Sequence, residues 1–142
     1  MRRRGVLWVM GSGAVLAIAA QFLPYGLDHT DPPVGREPTW PDRATRELAA
    51  GACFDCHSNE TDWPWYSNVA PVRWFLTRDV SRGRKALNFS EWQHDDQALG
   101  AAESVENGAM PPVRYRLMHS TARLSDQERT DLARGLRSIA GS

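Results

Sequence analysis

This chain predicts an all-α fold preceded by a single N-terminal transmembrane helix, and three observations carry that expectation. Apolar residues recur at helical spacing in several separate segments, no stretch alternates in the manner of a strand, and the segments are bounded by recognisable helix caps and stops. At 142 residues the chain suits one domain with a real core and is short for two ordinary ones. No internal repeat is present.

The elements follow in order. Gly5 to Leu23 is a run of 19 residues without a charge, preceded by Arg2, Arg3 and Arg4 and followed by Pro24 and Gly26. That length suits a bilayer-spanning helix, and the arginines predict a cytoplasmic N-terminus with everything downstream on the periplasmic or extracytoplasmic side. A cleaved secretory signal is the rival reading, because Ala17-Ile18-Ala19 has a small-x-small pattern. The apolar run extends past that point, which favours an uncleaved anchor over residues 1–23. Residues 24–41 hold five prolines and two glycines with no hydrophobic period, and read as a linker lifting the domain off the membrane.

The globular part, residues 42–142, opens with a helix after Asp42 that is expected to run into the two cysteines. A second helix is expected from Pro71 to Leu87, with Val72, Phe75, Leu76 and Val80 on one face. Ser90 reads as the N-cap of a third, which Asn107-Gly108 would stop. Ser125-Asp-Gln-Glu128 is a capping box for the last, where Leu132, Leu136 and Ile139 keep helical spacing. The loops 58–70 and 108–124 are longer than packing requires and are expected to line something.

Charge narrows the function. Lysine plus arginine equals aspartate plus glutamate at 17 each, but no acid precedes Asp28, so the part beyond the N-terminal arginines is slightly acidic. That balance argues against nucleic-acid binding.

Both cysteines of the chain lie in A-C-F-D-C-H-S, residues 52–58. A redox dithiol would call for a βαβ context that is absent, and would leave His57 without a role. Zinc would need further ligands, yet His29, His94 and His119 are scattered singly. A disulfide three residues long would constrain little. Covalent haem accounts for all three residues: Cys53 and Cys56 as thioether donors, and His57 as an axial ligand of the iron. The export segment agrees, because bacterial c-type haem is attached outside the cytoplasmic membrane. The expected cofactor is therefore one covalent haem c with its iron.

The chain also resembles the small bacterial haem-binding domain proteins that carry a c-type motif. The resemblance runs from Arg43 to Leu136 and rests on Cys53-x-x-Cys56-His57-Ser58, Trp63-Pro64-Trp65-Tyr66-Ser67, Ala70-Pro71 with Trp74, and Gly83-Arg84. It continues through Asn88-Phe89-Ser90-Glu91-Trp92, Gly108-Ala109-Met110-Pro111, Tyr115, His119, Leu124-Ser125 and Glu128. It implies a small cytochrome c-like helical domain wrapped around covalent haem, and it does not imply a reaction.

Six-coordinate iron needs a second ligand, and the candidates are Met110, Met118, His94 and His119. Met110 is favoured because two prolines follow it and stiffen its backbone; His119 is the runner-up. Trp63, Trp65, Tyr66, Trp74 and Trp92 are expected to surround the motif. A carbonyl near Pro64 is a candidate acceptor for the His57 Nδ1 proton, and Arg73, Arg84 and Arg114 are candidates to pair with propionates. Two functions result. One is a membrane-tethered monohaem electron carrier, not an enzyme, serving redox partner proteins at the membrane surface. The other is a small-ligand sensor or peroxidase-like enzyme with an open or exchangeable distal site.

Overall fold

The structure of the protein, a computed structural model, describes residues 2–141, apart from the side chains of residues 2–7 and 9. Its helices are α1 (Arg2–Gln21), α2 (Arg43–Ala52), α3 (Phe54–His57), α4 (Val72–Ala86), α5 (Gln97–Glu106), α6 (Val113–Met118) and α7 (Asp126–Ala140), with single 3₁₀ turns at Trp65–Asn68 and Ser120–Ala122. Among the described residues no strand forms, and the one extended pairing is an isolated parallel bridge between Arg36 and Glu91. The all-α expectation holds.

The chain divides into two compact units: residues up to Thr30 together with Trp63–Asp79, and Asp31–Asp62 together with the residues from Val80 onward. Within the first unit, α1 exposes Trp8, Met10, Val15, Leu16 and Ile18, and Phe22 just beyond it is exposed as well. Ser12 turns its hydroxyl onto the Trp8 carbonyl at 2.9 Å. The carboxyl end of α1 is fastened to the other segment of its unit. The Gln21 amide donates to the Ala70 carbonyl at 3.1 Å and accepts from the Ala70 amide at 3.0 Å. Arg73, only 2% exposed, donates to the carbonyls of Ala20, Gln21 and Leu23. A cation suits that place, because the last carbonyls of a helix lack intrahelical donors and carry its negative pole.

Among the described residues no helix is long and apolar enough to cross a membrane. The expected anchor over residues 1–23 falls partly on side chains that lie outside the described residues.

The second unit holds the main core, where α5 and α7 pack together and α2 lies against α7. Leu132, Leu136 and Ile139 of α7 are buried with Ala98, Ala102 and Val105 of α5. Gly135 permits the α2 contact, since a Cβ there would come within 2.4 Å of the Thr45 side chain. The capping box of α7 forms as its sequence predicts, with the Ser125 hydroxyl accepting from the Glu128 amide and the Glu128 carboxylate accepting from the Ser125 amide. Asp42 caps α2 by accepting from the Thr45 amide at 2.7 Å.

Three expectations need correction. The helix after Asp42 does not run unbroken through the motif: it ends at Ala52, and α3 restarts after Cys53. The third helix begins at Gln97, not at Ser90. Ser90 uses its hydroxyl elsewhere, accepting from the Asn59 amide at 2.9 Å, and is fully buried. Last, the 108–124 loop contains the short helix α6.

Residues 31–41 are packed within the second unit. Glu37 accepts from Arg46 and from the Trp40 indole, Gly35 donates to the Ser90 carbonyl, and Trp40 lies on Phe89 at 5.3 Å between ring centres.

Candidate functional site

Cys53, Cys56 and His57 lie on one short helical stretch of the second unit, each partly buried, and the cysteines are not joined in a disulfide. Cys53 sits at the break between α2 and α3, where its carbonyl accepts from the amides of Cys56 and His57. The inner residues of the motif fix how the stretch is seated. Phe54 is buried in the aromatic stack with Phe89, at 5.5 Å, and Trp92 continues that stack. Asp55 has other partners: its carboxylate accepts from the Asp62 amide and from the Tyr115 hydroxyl.

The imidazole of His57 is oriented by a hydrogen bond from Nδ1 to the Leu87 carbonyl, 3.1 Å away at the end of α4. That bond assigns the proton to Nδ1 and leaves the lone pair on Nε2, the arrangement a metal-binding histidine needs. The acceptor is thus at Leu87, not in the loop near Pro64. Burial lowers the His57 pKa, partly offset by the Leu87 and Gly83 carbonyls, so the neutral ring is favoured. Burial also pushes the Cys53 thiol up to about 12, with a further contribution from Cys56.

Gly83 of α4 is the second device that seats the motif. A Cβ there would stand 2.1 Å from the Cys56 carbonyl oxygen and 3.1 Å from the Cys56 Cβ. Arg84, beside it, donates to the Ser58 carbonyl at 2.7 Å, to Thr61 and to Asp31. Arg73 is occupied with the carbonyls at the end of α1. Neither arginine is therefore a spare cation waiting for a propionate.

Met110 follows the stop of α5 at Gly108, whose φ of 75° suits glycine. Its amide donates to the Ser104 carbonyl at 2.9 Å and its side chain is exposed. Met118 and His94 are exposed. His119 stacks on Tyr115 with ring centres 4.0 Å apart. Together with Phe54, Asp55, Tyr115, Arg46 and Thr121 it lines a cavity of about 360 Å³ against the motif. The Tyr115 pKa is raised, first by burial and then by the Asp55 carboxylate, with smaller contributions from Cys56 and Cys53.

Of the predicted residues, then, the structure gathers Cys53, Cys56 and His57, brings His119 against the motif through Tyr115, and sets Met110 in a separate ordered turn. The expected aromatic set is divided: Trp92 belongs to the core of the second unit, while Trp63, Trp65, Tyr66 and Trp74 lie in the first. Sequence reasoning missed the Asp55–Tyr115 pair and the role of Leu87, both joined across long stretches of chain. Among the described residues no three His, Cys, Asp or Glu side chains gather as a metal-ion cluster.

These residues fit a haem group: two thiols one helical turn apart on a partly open stretch, and beside them an imidazole whose proton is already assigned away from Nε2. No curated protein matches the chain, and no solved structure does. A family model, that of the haem-binding domain, matches residues 15–138, so the chain belongs to the haem-binding domain family.

Proposed function

We propose that this haem-binding protein is a membrane-tethered monohaem c-type cytochrome that passes single electrons outside the cytoplasmic membrane. The observation that carries the reading is the His57 Nδ1 bond to Leu87, with both thiols of the motif on the same short stretch. Haem bound there supplies one-electron chemistry at its iron. Cys53 and Cys56 would hold the group through thioether bonds, each thiol adding across one vinyl group, its sulfur to one carbon and its hydrogen to the other, with no oxidant consumed. His57 would offer Nε2 to the iron, its ring held by the Leu87 carbonyl. Met110 would offer its thioether as the second ligand, and the two prolines after it limit the freedom of that turn.

The anchor reading draws support from α1. Its apolar side chains are exposed, and the hydroxyl of Ser12 and the amide of Gln21 are both satisfied by backbone, as lipid requires of polar groups. Partners are then redox proteins at the membrane surface.

A second reading has its own observation. The cavity lined by Asp55, Tyr115 and His119 puts titratable groups against the motif, which suits a small-ligand sensor or peroxidase-like site.

Denaturing electrophoresis of protein matured by a bacterial cytochrome c assembly system tests the attachment, and haem is expected to stay on the band. A colourless band overturns it. Fractionation with N-terminal sequencing tests the anchor: an intact N-terminus in the membrane fraction is expected, and a soluble product beginning near Ala20 overturns it.

A further inference from the structure

The first unit carries a set of exposed apolar side chains that the haem site does not use. Where α1 ends, Phe22 is 82% exposed, and Leu23 and Tyr25 are exposed beside it. From the other segment of the same unit come Trp65, 80% exposed, with Val72 and Phe75. The two groups are neighbours. Gln21 is bonded to Ala70 through both ends of its amide, Arg73 reaches the Leu23 carbonyl, and the Gly26 backbone lies against the Arg73 carbonyl. Buried Arg73 turns its charge onto the carbonyls at the end of α1, while Val72 and Phe75 beside it on α4 are exposed.

Exposed apolar surface gathered in one place marks an interaction face. Its occupant follows from continuity. The collar begins at the carboxyl end of a helix whose large exposed side chains are apolar and whose Ser12 and Gln21 are bonded to backbone. Tryptophan and tyrosine are the residues that sit at the boundary between hydrocarbon and headgroups, and Trp65 and Tyr25 are both exposed members of this set. We infer that this collar is seated in the lipid interface, so that the first unit rests in the membrane surface and is not held off it by a linker. The inference rests on α1 being the membrane anchor.

The test uses the full haem-loaded chain in vesicles of phosphatidylethanolamine and phosphatidylglycerol, labelled by a carbene reagent generated within the lipid phase and mapped by mass spectrometry. Labels are expected on α1 and, severalfold above the α7 surface, on Trp65, Val72 and Phe75. The double variant W65S/F75S changes only exposed positions and keeps haem on the band; in it, labelling at Val72 is expected to fall severalfold. Labels on α1 alone overturn the collar while leaving the anchor intact. Labels on neither overturn both. A collar that stays unlabelled yet cross-links to a second copy overturns the lipid assignment in favour of self-association.

Discussion

The Nδ1 nitrogen of His57 and the carbonyl oxygen of Leu87 lie 3.1 Å apart, joining the end of the cysteine motif to the end of α4. One hydrogen bond thus settles which ring nitrogen is available, 30 residues from its partner in sequence. It also makes His57 separable from the cysteines by experiment. The variant C53S/C56S is expected to lose haem from the denatured band altogether. His57→Ala, matured the same way, is expected to keep some covalent haem with the spectrum of iron that has lost a strong-field ligand. Haem staining and the visible spectrum, run on both, distinguish the two outcomes.

For Met110, the expected result of Met110→Ala is loss of the far-red methionine-to-iron charge-transfer band, a lower reduction potential and ready binding of carbon monoxide by the reduced protein. Haem should stay attached. If His119→Ala produces these changes and Met110→Ala does not, the second ligand is His119 and electron transfer still stands. Rapid carbon monoxide binding by the unaltered protein would instead favour the cavity at Asp55, Tyr115 and His119 as a ligand site.

Gly83→Ala places a methyl group where the Cys56 carbonyl already stands, 2.1 Å away. Two backbones must part to admit it, and overpacking of this kind costs about 1–3 kcal/mol. The denaturation midpoint should fall accordingly, and covalent haem yield should fall with it although no haem-contacting residue has changed. A yield and midpoint equal to those of the unaltered protein would contradict the seating described for α3.

Glu37 governs part of the acid response. Its carboxyl is held below the ordinary value of 4.5, first by the hydrogen bond from Arg46 and further by the Trp40 indole. A carboxylate depressed in the folded state contributes stability that is fully present above its unfolded pKa and is lost as pH falls through the folded value. Glu37→Gln should therefore lower the urea midpoint at about pH 7, and by progressively less as pH falls below the ordinary carboxylate value. Because Arg46 remains partly exposed, the difference is expected to stay near or below about 1 kcal/mol.

What was legible in the sequence was what local spacing determines. Asp42 and the Ser125–Glu128 box cap their helices as their positions predict, because a cap and its partner are three residues apart. Ser90 carries the same local signature, but its hydroxyl is taken by Asn59, 31 residues away. The haem motif was readable for a related reason: its chemistry is packed into five consecutive letters. Its supports were not, since Leu87, Gly83 and Tyr115 meet it only once the chain has folded. The stretch before Asp42 looked like linker by composition, and proline does favour extended chain. Yet Trp40 and Glu37 give that extended chain specific partners in Phe89 and Arg46.

The separate partners of Phe54 and Asp55 mean that the pentapeptide is not a portable cassette. In many contexts the two letters between the cysteines would count as spacer, open to exchange with the corresponding letters of any other haem-attachment sequence. Here one of them is a piece of the aromatic core and the other is the acceptor for Tyr115. Transplanting a foreign pair of inner letters would preserve the thiols and the imidazole proposed to hold the haem and still remove both of these contacts. Grafting Cys-Phe-Asp-Cys-His into another helical host would in turn bring a large hydrophobic ring with nowhere to go. On the proposed reading, attachment chemistry and folding are written in the same five letters, so engineering either one in this chain means re-engineering both.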